Sequence, residues 1–480
     1  MTSLRSFLRL PAAAFAGAAL VAVPLAASGC DAYLDINEDP NNPTSVPVDA
    51  LLATSTFRTG GVYYGLGSTT SNYVQYLASP NQASDSDVYE RLSLDGTWGE
   101  IYEVLADLSV IEAQGAETGA TAYVGIAKIL KALHLTAAVD VWGDIPYSTA
   151  LDPDETLNPT YDDAAGLYDE ALSLLADGIA AVEGGGSTAE PGADDFIHGG
   201  DLDRWVQTGY ALRARTLNHY SETGQYDPAA VLSAVDRSFT SNADDATVVY
   251  FTEQINPWAN LAIRNAGLIL GGWLSEQTVQ ALDGTTFGVV DPRIEAYTDS
   301  LDDGTYVGTV NGAGRGGASE SGERSVLTTS TYYAARTAPI ELITYVEVKM
   351  IEAEAALRLG NRARAYAAYL EAIRAHMDKL GVPADAAEAY VGSDVVGVGA
   401  GALGLDDVFR EKYKIMFLNP EAWVDARRFD YAYDGFSLPA NALLSTYIRR
   451  LDYPDTEYSR NQANIPANGD ALTARIFWDQ

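Results

Sequence analysis

Residues 339–372 read PIELITYVEVKMIEAEAALRLGNRARAYAAYLEA, and this stretch decides the fold. From Pro339 to Gly360 the residues Ile343, Val346, Met350, Ala353 and Leu357 recur every three or four positions, the spacing that places them on one face of an α-helix. Gly360 supplies a C-terminal stop, because glycine accepts the left-handed backbone with which helices end. A second helix starts at once, and Gly360, Ala365, Tyr369 and Ala372 keep small and aromatic residues at the intervals an antiparallel neighbour needs. Glu347 and Glu354 face the same way on the first helix and invite a catalytic-pair reading. Seven residues at 1.5 Å rise separate their backbones by roughly 10 Å, beyond the roughly 5 Å of a retaining glycosidase pair and near the limit for an inverting one. Pairing with arginines of a neighbouring helix is the favoured role.

Outward from this stretch the same pattern recurs. Ile101, Val104, Leu105, Leu108 and Ile111 repeat at helical spacing, and Val124, Ala127, Leu130, His134 and Ala138 share a face of the following helix. His134 has no His, Cys or acidic partner four residues away, so it reads as a core histidine rather than a ligand. Helix pairs are expected at about 97–140, 161–220, 339–380 and 405–430, with a short helix at 227–239. Their length and alternation are those of degenerate tetratricopeptide hairpins, which predicts a mainly α protein built on a right-handed scaffold of helix pairs. Residues 244–338 differ. Val248, Val249, Tyr250 and Phe251 cluster there, and Gly, Ser, Thr and Asp dominate from Asp302 to Thr331, predicting long irregular segments folded against the scaffold, of a length that is usually functional or disordered. Gly312, Gly314 and Gly317 fit G-x-G-x-x-G, but no apolar strand precedes them and no helix follows, so they read as a flexible loop.

At the N-terminus, Arg5 and Arg9 precede an almost uncharged stretch ending in Leu25-Ala26-Ala27-Ser28-Gly29-Cys30. This is the layout of an export signal over residues 1–29, with Cys30 as the lipid-attachment residue. Cys30 is the single cysteine of the chain, so it forms no intramolecular disulfide. Residues 31–64 read as a tether entering one domain that spans 30–480. Asp35, Asn37 and Asp39 have the opening spacing of a calcium loop, yet Pro40 and Val46 stand where that loop needs Gly and Glu. No metal and no cofactor is expected. After the signal no second run of 18 apolar residues occurs. The 480 residues carry 30 basic and 66 acidic side chains. Without the two arginines of the signal, 28 basic residues face 66 acidic ones, a net charge of −38. Nucleic acid is excluded as a partner, since phosphate neutralisation needs a basic excess. Such an acidic, lysine-poor surface suits high salt.

Several segments together resemble the SusD/RagB-like nutrient-binding outer-membrane lipoproteins. They are Tyr33 to Asn37 with Asp39-Pro40-Asn41, Asp140-Val141-Trp142-Gly143-Asp144-Ile145-Pro146-Tyr147, Asp291-Pro292-Arg293, Tyr345 to Gly360, and Arg449 to Tyr458. The resemblance implies four tetratricopeptide-like helix pairs carrying a loop-rich ligand-binding region, and no chemistry of the protein's own. It also implies an acyl-anchored place in the outer membrane facing the cell exterior, and a SusC-like TonB-dependent barrel that receives captured glycan or peptide. It transfers no binding residues, because these lie on variable loops. Sugar capture wants exposed aromatics beside Asn, Gln, Asp or Arg. Candidates are Asn72, Tyr73 and Gln75; Trp258, Asn260 and Arg264; Tyr306; and the pair Tyr332 and Tyr333. Two alternatives are a cell-surface glycoside hydrolase, against which stands the absence of G-x-S-x-G, H-E-x-x-H and Walker patterns, and a helical-repeat scaffold for a protein partner.

Overall fold

Where the chain enters a scaffold helix, an oxygen-bearing side chain repeatedly takes up a backbone N–H that the first turn leaves unpaired. Asp163 accepts from Gly166 N at 2.9 Å, Asp201 from Arg204 N at 3.2 Å, Thr344 from Glu347 N at 3.3 Å and Asn361 from Arg364 N at 3.2 Å. The computed structural model describes residues 46–151, 156–268, 271–316, 321–467 and 471–480. The signal segment 1–29, Cys30, the Asp35 to Asp39 motif and Gly317 lie outside the described residues. The chain divides into Met1–Pro47 and Val48–Gln480, and every element below belongs to the second unit.

The protein is mainly α-helical. A long helix α1 (Val48–Tyr73) is followed by the pairs α2 (Asp95–Thr118) with α3 (Thr121–Trp142) and α4 (Ala164–Glu183) with α5 (Leu202–His219). After α6 (Pro228–Val235) come three helices in the loop-rich region, α7 (Pro257–Leu268), α8 (Glu276–Leu282) and α9 (Ile294–Tyr297). The scaffold resumes with α10 (Tyr345–Arg358) and α11 (Arg362–Lys379), then α12 (Ala384–Val391), α13 (Leu405–Ile415), α14 (Glu421–Arg428) and α15 (Asp455–Arg460). Three two-stranded sheets complete it: β1 (Leu77–Ala78) pairs with β5 (Trp273–Leu274), β2 (Ile145–Pro146) with β3 (Tyr161–Asp162), and β4 (Ala246–Val248) with β6 (Ile340–Ile343), all antiparallel.

Small residues set the helix spacing. A Cβ on Gly125 of α3 would stand 2.7 Å from the Gly178 carbonyl of α4, and one on Gly178 2.8 Å from that of Gly125, so only glycine at both positions lets the two backbones touch.

Two expectations need correction. The stretch from Pro339 is not one helix. Ile340 and Leu342 turn inward and Glu341 outward as strand β6, and the helix starts only after the Thr344 cap, so Ile343 leaves the stripe. Helix α10 is buried on nearly all sides, from Tyr345 through Ala356. The segment read as a tether entering the domain already holds residues 48–64 of the 26-residue α1.

Buried ion pairs lock the elements together. Arg215 of α5 grips Glu347 of α10 with two bonds of 2.6 and 2.5 Å, and Arg428 of α14 donates to Glu354, seven residues further on. Both glutamates are thus held by arginines of neighbouring helices. In the loop-rich region Arg293 clasps Asp291 at 2.9 and 2.6 Å and reaches Glu411 of α13 at 2.5 Å. The C-terminal segment docks on the end of α3, where Leu451 N donates to Val141 O at 2.8 Å and Trp478 Nε1 to Asp140 Oδ1 at 3.0 Å. His134 is a core residue bonded to Thr59 Oγ1 at 2.9 Å, and burial pushes its imidazole down to about 3.

Candidate ligand-binding face

The loop-rich region builds its surface from two chain segments laid side by side. Thr298 Oγ1 donates to Val326 O at 2.8 Å, and Tyr332 N donates to Ala296 O at 3.2 Å, which holds 296–302 against 324–332. A cleft of about 400 Å³ opens along Thr298–Asp302, Val326–Thr329, Arg324, Ile263 and Asn265. A second, of about 500 Å³, lies between Glu295, Ser330–Tyr332 and Leu380–Pro383. They share a wall, because Ser330 of the second cleft donates at 2.6 Å to Asp299 of the first. The two clefts thus adjoin as one strip, and each lies within the size range of ligand sites.

The lining is rich in hydroxyls and carboxylates. Thr328 and Ser330 bond each other at 2.8 Å, while Asp299, Asp302 and Glu295 supply acceptors. Arg324 donates to the carbonyls of Glu323 at 2.8 Å and Arg315 at 3.2 Å. Tyr306 is half-buried beside this strip, since Val307 and Ser325 exchange bonds of 2.8 and 3.0 Å. Burial, then the nearby carboxylates of Glu295 and Asp299, pushes its phenol up, so it stays a proton donor. Tyr332 is also half-buried, and its hydroxyl donates to Glu341 at 3.3 Å. Among the described residues no group of His, Cys, Asp and Glu could hold a metal ion, and no helix is long and apolar enough to cross a membrane.

The nominated residues therefore separate. Tyr306 and Tyr332 flank the clefts, and Arg264 is exposed between Ile263 and Asn265, which line the first. Asn260 is exposed one turn earlier on α7. The others are occupied in the interior. Tyr73 is fully buried against Tyr89 and Trp423, at 5.9 and 5.1 Å between ring centroids. Asn72 donates to Ser68 O and Ser86 Oγ, and Gln75 to Ser437 O at 2.6 Å. Tyr333 is buried, bonded to His376 Nε2 at 3.0 Å. Trp258 is buried edge-on against Tyr64 at 4.8 Å. Tyr73 has no free face for a ligand, and Trp258 and Tyr333 border only a pocket of about 30 Å³, room for about one water and not for a sugar ring. Sequence reasoning passed over Glu295, Asp299 and Ser330; the available signal was the hydroxyl run Thr328-Thr329-Ser330-Thr331, which read as flexible loop.

A sequence profile of SusD-like proteins, described as starch-binding and associating with the outer membrane, matches residues 40–454. No curated protein matches the sequence. Among solved structures, a SusD/RagB family protein from Bacteroides thetaiotaomicron is 24% identical, with a TM-score of 0.74 over 91% of this chain and 99% of that one. A chitin-binding SusD homologue from Flavobacterium johnsoniae is 20% identical, with a TM-score of 0.74 over 90% and 97%. A SusD homologue from Bacteroides fragilis is 18% identical, with a TM-score of 0.75 over 91% and 100%.

Proposed function

The chain belongs to the SusD-like family of starch-binding proteins that associate with the outer membrane, and from that premise we propose that it captures an oligosaccharide on the strip of paired clefts. It would do so as a surface lipoprotein held by acyl chains on Cys30, and would hand the glycan to a SusC-like TonB-dependent barrel. The observation that carries this reading is the lining of the strip. Carboxylates and hydroxyls of Asp299, Asp302, Glu295 and Ser330 suit the O–H donors of a neutral sugar chain, Tyr332 lines the second cleft with a ring for its C–H faces, and Tyr306 offers another beside Glu295 and Asp299. The volumes of the two clefts fit several rings rather than one.

Calorimetric titration of the chain with chito-oligosaccharides and malto-oligosaccharides tests the capture step. Tyr306→Ala and Tyr332→Ala should each weaken the glycan that binds by about 1–3 kcal/mol, the scale of a lost aromatic anchor. Full affinity in both variants, with unchanged circular dichroism, moves the site elsewhere. The anchor is tested separately: Cys30→Ala should no longer sediment with outer membranes in cells lacking the barrel.

A further inference from the structure

A third cavity, of about 210 Å³, lies outside that strip, between α8, α13 and the loop after α14. Its walls are aromatic. Phe429 and Tyr433 stand 5.2 Å apart and Tyr413 and Tyr433 4.9 Å apart, while Phe287 covers Lys414 at 5.1 Å and Arg410 at 5.6 Å. Both cations are already committed to the protein. Lys414 donates to Tyr390 at 2.5 Å and Glu411 at 2.9 Å and lies 3.3 Å from Asp291, while Arg410 donates to Asp407 at 3.0 Å and Val395 O at 2.6 Å. The Arg410 Nε has no hydrogen-bond partner, but it lies 3.6 Å from Glu411, whose carboxylate matches its charge, so no positive group is left over for an anion.

What remains uncommitted is mostly acceptor. The side-chain carbonyl of Gln277 and the carboxylates of Asp406 and Asp434 accept no bond from any described residue, and the Tyr433 hydroxyl makes none. The volume equals that of about seven waters and falls below the roughly 300–1,000 Å³ of sites for drug-sized ligands, so it admits one ring and not a chain. Aromatic walls with a surplus of acceptors want a ligand with apolar C–H faces and several O–H donors at its edge. We propose that this cavity is a second, independent binding site that takes a single neutral pyranose.

The test uses the full chain and saturation-transfer NMR with D-glucose, D-galactose, D-mannose, D-xylose and N-acetyl-D-glucosamine as probes. At least one should bind, and Tyr433→Phe, which keeps the ring packing, should weaken it about threefold to tenfold, the loss of one hydrogen bond. Ala432→Trp, a change at an exposed wall residue, should abolish it by filling the mouth. Tyr306→Ala should leave the monosaccharide affinity unchanged while weakening the oligosaccharide, so the two sites fail separately. Saturation transfer to none of the five sugars overturns the proposal. So does binding indifferent to Ala432→Trp, and so does p-cresol binding in the cavity where no sugar does.

Discussion

Trp258 shows how one side chain can carry the marks of a binding residue and serve the core. Asn256 and Pro257 before it, with Asn260 and Arg264 after, look like a sugar platform in sequence. They are equally the start of a helix: Asn256 Oδ1 accepts from Trp258 N at 2.7 Å as a cap, and Pro257 fills the first helical position, where no N–H is needed. The amide of Asn256 is spent on Ala338 O at 2.8 Å. The indole then runs inward to meet Gly67 of α1, where a Cβ would lie 3.5 Å from Cζ2. Trp258→Ala is therefore expected to cost about 3–5 kcal/mol of stability, the range for emptying a buried aromatic site, with glycan affinity per folded molecule unchanged. Denaturant unfolding beside calorimetry checks this; lost affinity in a variant of wild-type stability would return Trp258 to the binding face. The residues that do line the clefts were illegible for a different reason. Asn265, Asp299 and Ser330 come from three separate segments that meet only once the chain is folded.

Among the elements, those with caps and a sustained apolar period could be read from sequence, and those whose helicity comes from packing could not. Helix α1 contains Gly60, Gly61, Gly65 and Gly67 among threonines and serines, a composition with poor intrinsic propensity. Its glycines admit Tyr250, Thr97 and Leu418 to close contact, and Thr56 and Thr59 bond back to Leu52 O and Ser55 O at 2.8 Å. The pair α13 and α14 owes its place to buried charge, which carries a pH dependence. Burial alone would raise Glu354, but Arg428 and Arg358 hold it down to about 2; Lys414 and Arg293 do the same for Glu411, and His219 and Arg215 for Glu421. Each of these carboxyls sits below its unfolded value of 4.5, so its stabilisation is complete above pH 4.5 and is lost as pH falls toward 2. Between pH 6.5 and 4.5 other groups oppose one another. Burial lowers His134 to about 3 and His198 to about 4, favouring the higher pH. It also raises Asp87, Asp140 and Asp245 to about 6, favouring the lower. The melting temperature is expected to vary little down to pH 4.5 and to drop steeply below it. A scan that stays level from pH 4.5 to 2 would show that these ion pairs do not hold the C-terminal helices.

Over the whole molecule the fold buries acids and bases in comparable numbers, nine basic and twelve acidic side chains among the described residues, so the acidic excess stays on the surface. Lys128, Lys131, Lys349, Lys379, Lys412 and Lys414 all form ion pairs, and of these Lys131, Lys412 and Lys414 are buried. Arg215, Arg293, Arg427, Arg428, Arg449 and Arg450 are buried as well. With a formal charge of −36 and the buried bases matched by buried acids, the solvated surface keeps a large excess of Asp and Glu over counter-charges. Repulsion between such exposed carboxylates is cut off within about 3 Å in 1 M salt but reaches about 30 Å at 0.01 M. The buried pairs, shielded from ions, change much less over the same range. Lowering salt from molar to millimolar should therefore lower the melting temperature through the surface alone. Replacing exposed acids that form no ion pair, such as Glu117 and Glu253, by Gln should recover part of the loss at low salt and little at high salt. Calorimetric scans of the chain and of that variant across the salt series decide it, and a melting temperature indifferent to salt would mean that the acidic surface carries no destabilising repulsion for salt to relieve.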